Sequence, residues 1–238
     1  MLSMPPSITS TEPALLALLQ ISVSAFPNGG FAHSYGLETY VQEGVIHSGE
    51  SLLRFLAVYL QESLATSDCL ALKLAYEAAE KGELVPVLEL DQLLSAQKLA
   101  RESREASIKT GIRMLRVSER LTGDPLLQEF SRLVREGRTP GHHVLVFALT
   151  SKALGLGLQE AGLTFVYKAA AGMVNSGVRL IPLGQNEAQV LLFSLSGIMR
   201  ETLRISEELS WEDLGTTLPG LEIRSMQHEY LYARLFIS

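Results

Sequence analysis

Apolar residues recur at helical spacing along most of this 238-residue chain. In the segment from Gly49 to Thr66, Leu52, Leu56 and Leu60 fall on one face of a helix. Leucine and alanine are abundant, while aromatic residues make up only 7% of the chain, and such a composition favours helices over strands. The sequence therefore predicts an all-α fold, a single-domain helical bundle of about eight to ten helices around one core.

Prolines, glycines and capping residues divide this pattern into segments. Helices are predicted at residues 13–26, 34–43, 49–66, 67–81, 91–121, 125–138, 142–158, 162–176 and 186–209. Ser34 and the pair Ser67 and Asp68 are expected to cap two of these helices. Residues 178–183 are the best candidate for a strand, although Pro182 lies inside them.

Three regions follow from this division. Residues 1–12 are rich in Ser, Thr and Pro and are expected to be mobile. Residues 13–220 form the all-α domain, which ends in a loop at 215–220, and residues 221–238 form a C-terminal tail. We see no secretory signal and no apolar run of the roughly 18–20 residues that a spanning helix needs. We therefore expect a cytoplasmic protein that does not enter a membrane.

The composition also argues against several classes of protein. A net charge of −6 is unlike that of a nucleic-acid-binding protein. The single cysteine, Cys69, excludes a disulfide framework and a metal site made of several cysteines. At its helical position Cys69 is predicted to be a small core residue.

The stretch FPNGGFAHSYGLE, which follows the first predicted helix, resembles a binding loop but fits neither of two catalytic patterns. A phosphate-binding loop needs the string G-x-x-x-x-G-K-[ST], which this stretch lacks. His33 and Ser34 are adjacent, and adjacent residues on a helix do not face each other as a base and a nucleophile must. We interpret Pro27, Gly29 and Gly30 as a structural turn in which glycine supplies a positive φ.

Basic residues and histidines form two further patterns. One face of the predicted 91–121 helix carries five basic residues: Lys98, Lys109, Arg113, Arg116 and Arg120. Glutamates share that face, which favours a solvated surface with salt bridges, and a docking surface for an acidic protein is the alternative. The adjacent pairs His142–His143 and His228–Glu229 lack the i, i+4 spacing common in helical metal ligands, so no metal site is predicted.

The C-terminal stretch GLEIRSMQHEYLYARLFIS mixes large apolar side chains with charged ones. A chain end of this character must pack either on its own core or on a partner, because exposed apolar surface is unfavourable in water. The preceding loop can release it, so docking to a partner is the favoured interpretation. Packing on its own core is the alternative.

Several stretches resemble the UreF family of urease accessory proteins. The strongest are LLQISVSAFPNGGFAHSYGLE at residues 18–38, NSGVRLIPLGQNEAQ at 175–189 and SMQHEYLYARLFIS at 225–238. RESREASIKTGIRML, at 101–115, is a weaker match. The matches occur in the order of the family and span nearly the whole chain. Val23 departs from the pattern, since the family often has an acidic residue in this segment.

The resemblance implies an all-α homodimer with no catalytic residue. It implies a complex with the accessory protein UreD, called UreH in some organisms, and with the GTPase UreG, which together deliver nickel to apo-urease. In that complex this chain would bridge UreD/UreH and UreG and modulate GTP hydrolysis. It would bind no cofactor itself, because nickel and GTP are handled by the partner complex.

Two partner surfaces are hypothesised on this basis. The surface facing UreG comprises Ser34, Tyr35, Glu38, Arg179, Gly184 and Gln185. Arg179 is interpreted as pairing with a carboxylate of this chain, and an arginine finger acting on GTP in trans is the alternative. The surface facing UreD/UreH comprises Met226, His228, Glu229, Tyr230, Leu231, Arg234, Leu235 and Phe236.

Two functions of other classes stay open from the residues alone. A stand-alone helical hydrolase would use Ser34 as nucleophile and His33 as base. A nickel-storage protein would bind the metal tightly by itself. Turnover of a generic ester or nucleotide would indicate the first, and stoichiometric nickel binding would indicate the second.

Overall fold

The computed structural model describes residues 12–22, 33–215 and 218–237, and every regular element within them is helical. The α-helices are α1 (Glu12–Ser22), α2 (Leu37–Gln42), α3 (Gly49–Val58), α4 (Leu70–Glu80), α5 (Val85–Gln97), α6 (Arg101–Thr122), α7 (Pro125–Arg135), α8 (His143–Ala153), α9 (Leu158–Leu180), α10 (Gln185–Ser194), α11 (Ser196–Glu208) and α12 (Pro219–Gln227). A π-helical segment (Tyr59–Cys69) joins α3 to α4, and short 3₁₀ helices occupy Trp211–Asp213 and His228–Tyr230. The predicted all-α fold is confirmed.

Some predictions fall on other parts of the chain. The predicted turn residues Pro27, Gly29 and Gly30, together with Val23 and most of the predicted N-terminal segment, lie outside the described residues. None of the helices in the described ranges has both the length and the apolar character needed to cross a membrane.

Helix α8 lies at the centre of the hydrophobic core. Its residues 144–151 are all buried, and it packs against α4 and α6, as expected of a helix that is apolar on all sides. The contact with α6 depends on Gly111, where a Cβ atom would lie 2.0 Å from the carbonyl oxygen of Gly141. The backbone of α6 therefore touches the turn that precedes α8.

That turn is anchored by the buried carboxylate of Asp91 on α5. The carboxylate accepts hydrogen bonds from the Thr139 hydroxyl at 2.5 Å, the Gly141 N–H at 2.6 Å and the His142 N–H at 2.8 Å. Burial raises the pKa of Asp91, and these three hydrogen bonds oppose the rise. A buried carboxylate needs such donors, and they hold the start of α8 on α5.

Two predictions about where helices start or stop are wrong because the helical chain continues. No helix begins at Ser67 and Asp68, since residues 49–80 form one helical run through the π-helical segment. The Ser67 hydroxyl donates to the Ser63 carbonyl at 2.5 Å, so it bonds within the helix instead of capping a new one. Residues 178–180 of the strand candidate complete α9.

Other predicted helices have different limits. Residues 91–121 are divided between α5 and α6, because the backbone at Lys98 leaves the helical region with ψ 86°. The Arg104 guanidinium donates to the Lys98 carbonyl at 2.7 Å and so satisfies the end of α5. Residues 186–209 are divided between α10 and α11. Helix α2 begins at Leu37 with Gly36, and not Ser34, in the N-cap position.

The C-terminal segment, residues 219–237, packs on the helices that precede it. Because α12 begins at Pro219, the loop expected over 215–220 ends before residue 220. Helix α12 packs against α2 and α6. Residues 231–237 then return along α2, where the Gln42 side-chain amide donates to the Ala233 carbonyl at 2.8 Å.

Candidate functional site

Glu38 on α2 connects the body of the protein to the C-terminal segment. Its side chain is buried. One carboxylate oxygen accepts from the Leu235 N–H at 2.6 Å, and the other accepts from the Phe236 N–H at 3.2 Å. The second oxygen also lies 2.8 Å from Nε2 of His228. Glu38, which was predicted to contact a partner, thus binds the end of its own chain.

His228 lies completely buried between two carboxylates. Its Nε2 faces Glu38, and its Nδ1 lies 2.7 Å from a carboxylate oxygen of Glu102 on α6. The other oxygen of Glu102 accepts from the Arg234 guanidinium at 2.7 Å. These four residues, Glu38, Glu102, His228 and Arg234, are called the carboxylate–histidine cluster below.

A second ion pair adjoins this cluster. The Arg101 guanidinium makes two hydrogen bonds to the Glu229 carboxylate, at 2.8 and 3.2 Å. This pairing of two nitrogens with two oxygens is the geometry in which arginine binds carboxylates most strongly. The carboxylate of Glu229, which was predicted to face UreD/UreH, is therefore already paired with Arg101 of its own chain.

The turn before α2 is shaped to receive α12. Tyr35 has φ 51° and Gly36 has φ 86°, and a positive φ is uncommon for a bulky residue such as tyrosine. A Cβ atom on Gly36 would lie 2.7 Å from the Ser225 hydroxyl oxygen. The Thr39 hydroxyl donates to the Arg224 carbonyl at 3.0 Å. The turn and the first residues of α2 thus hold α12 in close contact.

The other residues predicted at this turn point inward to different degrees. Ser34 is completely buried, and its hydroxyl oxygen accepts from the Glu38 N–H at 3.4 Å. Tyr35 is half-buried, and burial together with the nearby Asp68 raises its pKa to about 12. In this conformation Ser34 and Glu38 therefore present no surface to a partner. A buried Ser34 hydroxyl is equally inaccessible to a substrate, which argues against the hydrolase alternative.

Arg179, Gly184 and Gln185 are exposed where α9 ends and α10 begins. The Arg179 guanidinium carbon lies 4.3 Å from the ring centroid of Phe236, a cation–π contact. Within the described residues Arg179 forms no ion pair, so the expected carboxylate partner is not found there. The residues assigned to two separate partner surfaces therefore meet in one region of the molecule.

The C-terminal segment has an outward-facing apolar side. Tyr230 is 87% exposed, Leu235 55% and Met226 39%, and Leu231 is half-buried. Phe236, in contrast, is buried. Sequence analysis treated packing on the protein's own core and docking to a partner as alternatives for this segment. In the structure Phe236 packs on the core, whereas Tyr230, Leu235 and Met226 are left exposed.

The exposed apolar set is larger than the sequence prediction. It adds Tyr232, which is fully exposed, and Ile237, which is 62% exposed. The five residues Met226, Tyr230, Tyr232, Leu235 and Ile237 are called the C-terminal apolar surface below. Exposed apolar residues gathered in one short segment are typical of interaction sites in proteins.

Sequence analysis also missed Glu102 as a member of the site. The glutamates on the basic face of the predicted 91–121 helix, Glu102 among them, had been interpreted as part of a solvated surface with salt bridges. The position of Glu102 in RESREASIKTGIRML, one of the stretches that resemble UreF, was the available signal. A helical pattern alone does not show which of several glutamates points toward another element.

The basic face of α6 is only partly neutralised. Lys109 pairs with Glu105 at 2.8 Å, as the solvated-face interpretation predicts. Arg113, Arg116 and Arg120 are exposed and have no carboxylate partner within the described residues. Both interpretations of this face stay open.

A cavity of about 900 Å³ lies beneath the site. Its lining includes Tyr35, Arg179, His143 and Thr110, with the Lys98–Asp68 ion pair (3.0 Å) on one wall. Burial, with a smaller contribution from Lys168, lowers the pKa of His143 to about 3, so its imidazole is neutral at pH 7. The described residues contain no group of three or more side chains able to hold a metal ion.

Taken together, these features define a class: an all-α protein that holds its own C-terminal segment in place and exposes apolar side chains from it, as an interaction protein does. The family model of UreF matches residues 46–196. The chain belongs to the UreF family of urease accessory proteins.

Individual relatives cover almost the whole chain. The urease accessory protein UreF of Actinobacillus pleuropneumoniae serotype 3 (strain JL03) is 41% identical over 224 residues, covering 93% of this chain and 98% of the relative. UreF of Bacillus sp. (strain TB-90) is 38% identical, with 94% of this chain and 99% of the relative covered. UreF of Arthrobacter sp. (strain FB24) is 40% identical, with 94% and 96% covered.

Proposed function

We propose that this urease accessory protein is a scaffold for urease maturation. It bridges UreD/UreH and the GTPase UreG in the complex that inserts nickel into apo-urease, and it modulates GTP hydrolysis by UreG. It acts as a cytoplasmic homodimer without catalytic residues, while its partners handle nickel and GTP. Membership of the UreF family supports a role in maturation, and the C-terminal apolar surface is the observation that supports a scaffold.

The C-terminal apolar surface is assigned to UreD/UreH. Exposed tyrosines and leucines that become buried in an interface each contribute roughly 1.5–3 kcal/mol, and tyrosine is enriched among residues that dominate binding energy. The backbone behind them is already held by Glu38. Docking therefore avoids much of the entropy cost of ordering a free tail.

Tyr230→Ala combined with Leu235→Ala tests this assignment. We expect the pair to weaken UreD/UreH binding by more than about a hundredfold, because two apolar anchors are lost. The measurement is co-expression followed by size-exclusion chromatography and titration calorimetry. Val190→Ala with Phe193→Ala is the matched control, since these residues on α10 are 70% and 81% exposed. Equal loss in both double variants would contradict the assignment.

The junction of α9 and α10 is assigned to UreG. Arg179, Gly184 and Gln185 are exposed there, and the contact of Arg179 with Phe236 places this junction beside the C-terminal segment. A scaffold with neighbouring surfaces for two partners can transmit the binding of one to the other through the shared segment.

Arg179→Ala separates two roles for that arginine, with single-turnover GTP hydrolysis by UreG in the complex as the readout. A finger acting on GTP predicts a loss of hydrolysis of about a thousandfold with binding intact. A docking residue predicts weaker UreG binding and unchanged hydrolysis once UreG is saturating. Arg200→Ala on α11, also exposed, is the matched control. Unchanged binding and hydrolysis would remove Arg179 from the proposed UreG surface.

The scaffold as a whole is tested by co-expressing this chain with UreD/UreH and UreG. We expect one shared chromatographic peak, from which UreG dissociates when GTP and nickel are added. The isolated chain should hydrolyse neither a generic ester nor a nucleotide. In equilibrium dialysis it should hold no stoichiometric nickel, whereas tight binding would favour the storage alternative.

A further inference from the structure

Three arginines on the outer face of α6 form a row of positive charge. Arg113, Arg116 and Arg120 are exposed, and their spacing of three and four residues places them on one side of the helix. They are called the arginine stripe below. Of the 26 acidic residues of the chain, all except Glu12 have side chains that the structure describes. None of the described carboxylates pairs with the stripe.

The carboxylates that could neutralise the stripe from α6 itself are bound elsewhere. Glu119 lies between two members of the stripe in sequence, but its carboxylate accepts from the Arg135 guanidinium of α7 at 2.9 Å. Glu105 pairs with Lys109 at 2.8 Å. The third glutamate of this helix, Glu102, belongs to the carboxylate–histidine cluster. Helix α6 therefore keeps no carboxylate for its own arginines.

The neighbouring helix α7 supplies no carboxylate either. Glu129 and Glu136 both pair with Arg132 of the same helix. Asp124, which precedes the helix, accepts from the Leu127 N–H at 3.0 Å and so caps it. Because each of these groups already has a partner, the positive charge of the stripe is left facing solvent.

The stripe is a local excess of positive charge on an acidic protein. Residues 101–138 carry nine basic and six acidic side chains, a net charge of +3, whereas the whole chain has a net charge of −6. All three members are arginine, whose planar guanidinium offers paired donors that match a carboxylate and is less strongly hydrated than an ammonium group. A surface with one sign of charge attracts a partner of the opposite sign. These features indicate an acidic protein surface as the occupant.

The stripe adjoins the C-terminal segment along the same side of α6. Glu102 lies eleven residues, or about three helical turns, before Arg113, and it accepts from Arg234 of that segment at 2.7 Å. Arg101 pairs with Glu229, also of that segment. Arg113 lies roughly 18 Å from Arg101 along the helix axis, and a standard interface of about 800 Å² per partner is roughly 30 Å across. One partner can therefore cover both surfaces.

The electrostatic surroundings of His33 support this arrangement. Burial, followed by the charges of Arg113 and Lys109, lowers the pKa of His33, and Glu102 opposes the fall. Three residues spaced along α6 therefore act on one side chain. His33 directly precedes the turn that receives α12, so this side of α6 lies toward the C-terminal segment.

We propose that the arginine stripe extends the UreD/UreH docking surface along α6 and binds an acidic segment of that partner. This rests on the proposed function, in which UreD/UreH docks on the C-terminal apolar surface. The apolar side chains supply most of the affinity, whereas the exposed arginines speed association and fix the orientation of the partner. A single exposed ion pair contributes little, so the three arginines act together.

Reversing the charge of the stripe tests its role in association. In the triple variant Arg113→Glu, Arg116→Glu, Arg120→Glu, association with UreD/UreH at low salt should be slower by at least about tenfold. Added salt should slow association of the native chain but not of the variant, because screening acts on an attraction that the variant lacks. Dissociation should change less, since the apolar contacts remain. Surface plasmon resonance at several salt concentrations measures both rates.

A second triple variant controls for net charge. Arg54→Glu, Lys81→Glu and Arg200→Glu change exposed residues on other parts of the molecule and alter the net charge by the same amount. This variant should associate nearly as fast as the native chain. All six substituted side chains are exposed, and urea unfolding checks that both variants fold normally. Equal slowing of association in the two variants would be an effect of net charge alone and would overturn the proposal.

Arginine labelling tests the contact without any substitution. Phenylglyoxal modifies accessible guanidinium groups, and mass spectrometry locates the modified residues. In the complex with UreD/UreH the three arginines of the stripe should react several times more slowly than in the free chain. Arg200 on α11 should react equally in both. Unchanged labelling of the stripe in the complex would also overturn the proposal.

The variant Tyr230→Ala with Leu235→Ala separates this inference from the proposed function. If that variant loses UreD/UreH while the stripe variant associates like the native chain at every salt concentration, the docking function stands and the stripe is only a solvated face. If neither variant alters UreD/UreH binding, both proposals fail. If charge reversal weakens binding of UreG, apo-urease or a second copy of this chain and leaves UreD/UreH unaffected, the stripe has another occupant and this proposal is wrong.

Discussion

Gly111 lies where α6 passes the turn before α8, and its lack of a side chain lets the two backbones touch. A single added carbon atom would not fit there. Asp91 holds the same turn with three hydrogen bonds. Neither role was visible in the sequence, where Gly111 is a glycine inside a helix and Asp91 is one of many acidic residues. Both roles depend on a segment about 30 to 50 residues away.

Gly111→Ala should destabilise the protein, whereas Gly172→Ala should stabilise it slightly. A Cβ atom at Gly111 would lie 2.0 Å from a backbone oxygen, but one at Gly172, on α9, would meet no atom within 4 Å. We expect the free energy of unfolding to fall by about 3 kcal/mol in the first case and to rise by about 0.5–1 kcal/mol in the second. Urea unfolding measures both, and a similar shift in the two variants would contradict the packing argument.

Helix α8 shows how an element is fixed at its start by its neighbours. His142 precedes it, and its two ring nitrogens lie 2.8 Å from the Ser95 hydroxyl and 3.0 Å from the Ser107 hydroxyl. His143, its first residue, stacks on Phe165 with ring centroids 5.8 Å apart. Burial, followed by Lys98 and Lys168 respectively, lowers the pKa of each histidine to about 3.

These lowered pKa values predict loss of stability in mild acid. The unfolded chain takes up protons on both histidines below about pH 6.5 while the folded chain does not. Stability from this source is therefore complete above pH 6.5 and falls as the pH is lowered toward 3. Each histidine contributes a loss of up to about 2 kcal/mol between pH 6.5 and 5.

His143→Phe isolates one of these contributions. The variant keeps an aromatic ring beside Phe165 but binds no proton, so its stability should fall less steeply over that pH range. Urea unfolding at several pH values gives the two slopes. Parallel slopes would show that His143 does not couple folding to pH.

Element boundaries were predicted well where a local residue marks them and poorly elsewhere. Pro125 begins α7 as expected, because proline is favoured in the first turn of a helix. The break after Gln97 lacks any proline or glycine. The carbonyl groups of Lys98 and Leu99 accept hydrogen bonds from the Arg104 guanidinium, so this boundary depends on a side chain that local propensity does not evaluate.

Contacts between residues far apart in sequence hold the C-terminal segment on the body of the protein. Glu38 and His228 are 190 residues apart in sequence, yet they share a buried hydrogen bond. The chain's last residues therefore belong to the fold as much as to the candidate site. Removing them affects the body of the protein as well as the proposed interaction with UreD/UreH.

Truncation after Gln227 should lower stability while preserving the helices. All twelve α-helices of the described residues end by Gln227, so helical circular dichroism should be retained. The free energy of unfolding should fall by about 2–4 kcal/mol, because Glu38 loses its buried donors and Phe236 leaves its site. Truncation after Phe236 is the control and should leave stability nearly unchanged. Equal stability of the two truncated chains would show that the cluster contributes nothing to the fold.

By itself the sequence determined the all-α class and, through its motifs, membership of the UreF family. These depend on local spacing and on the strings of residues themselves. Only the tertiary structure decided that Glu38 and His228 point inward while Tyr230, Tyr232 and Leu235 point outward. The physical reason is that a charged side chain can be buried only where its partners converge, and here those partners come from α2, α6 and the C-terminal segment.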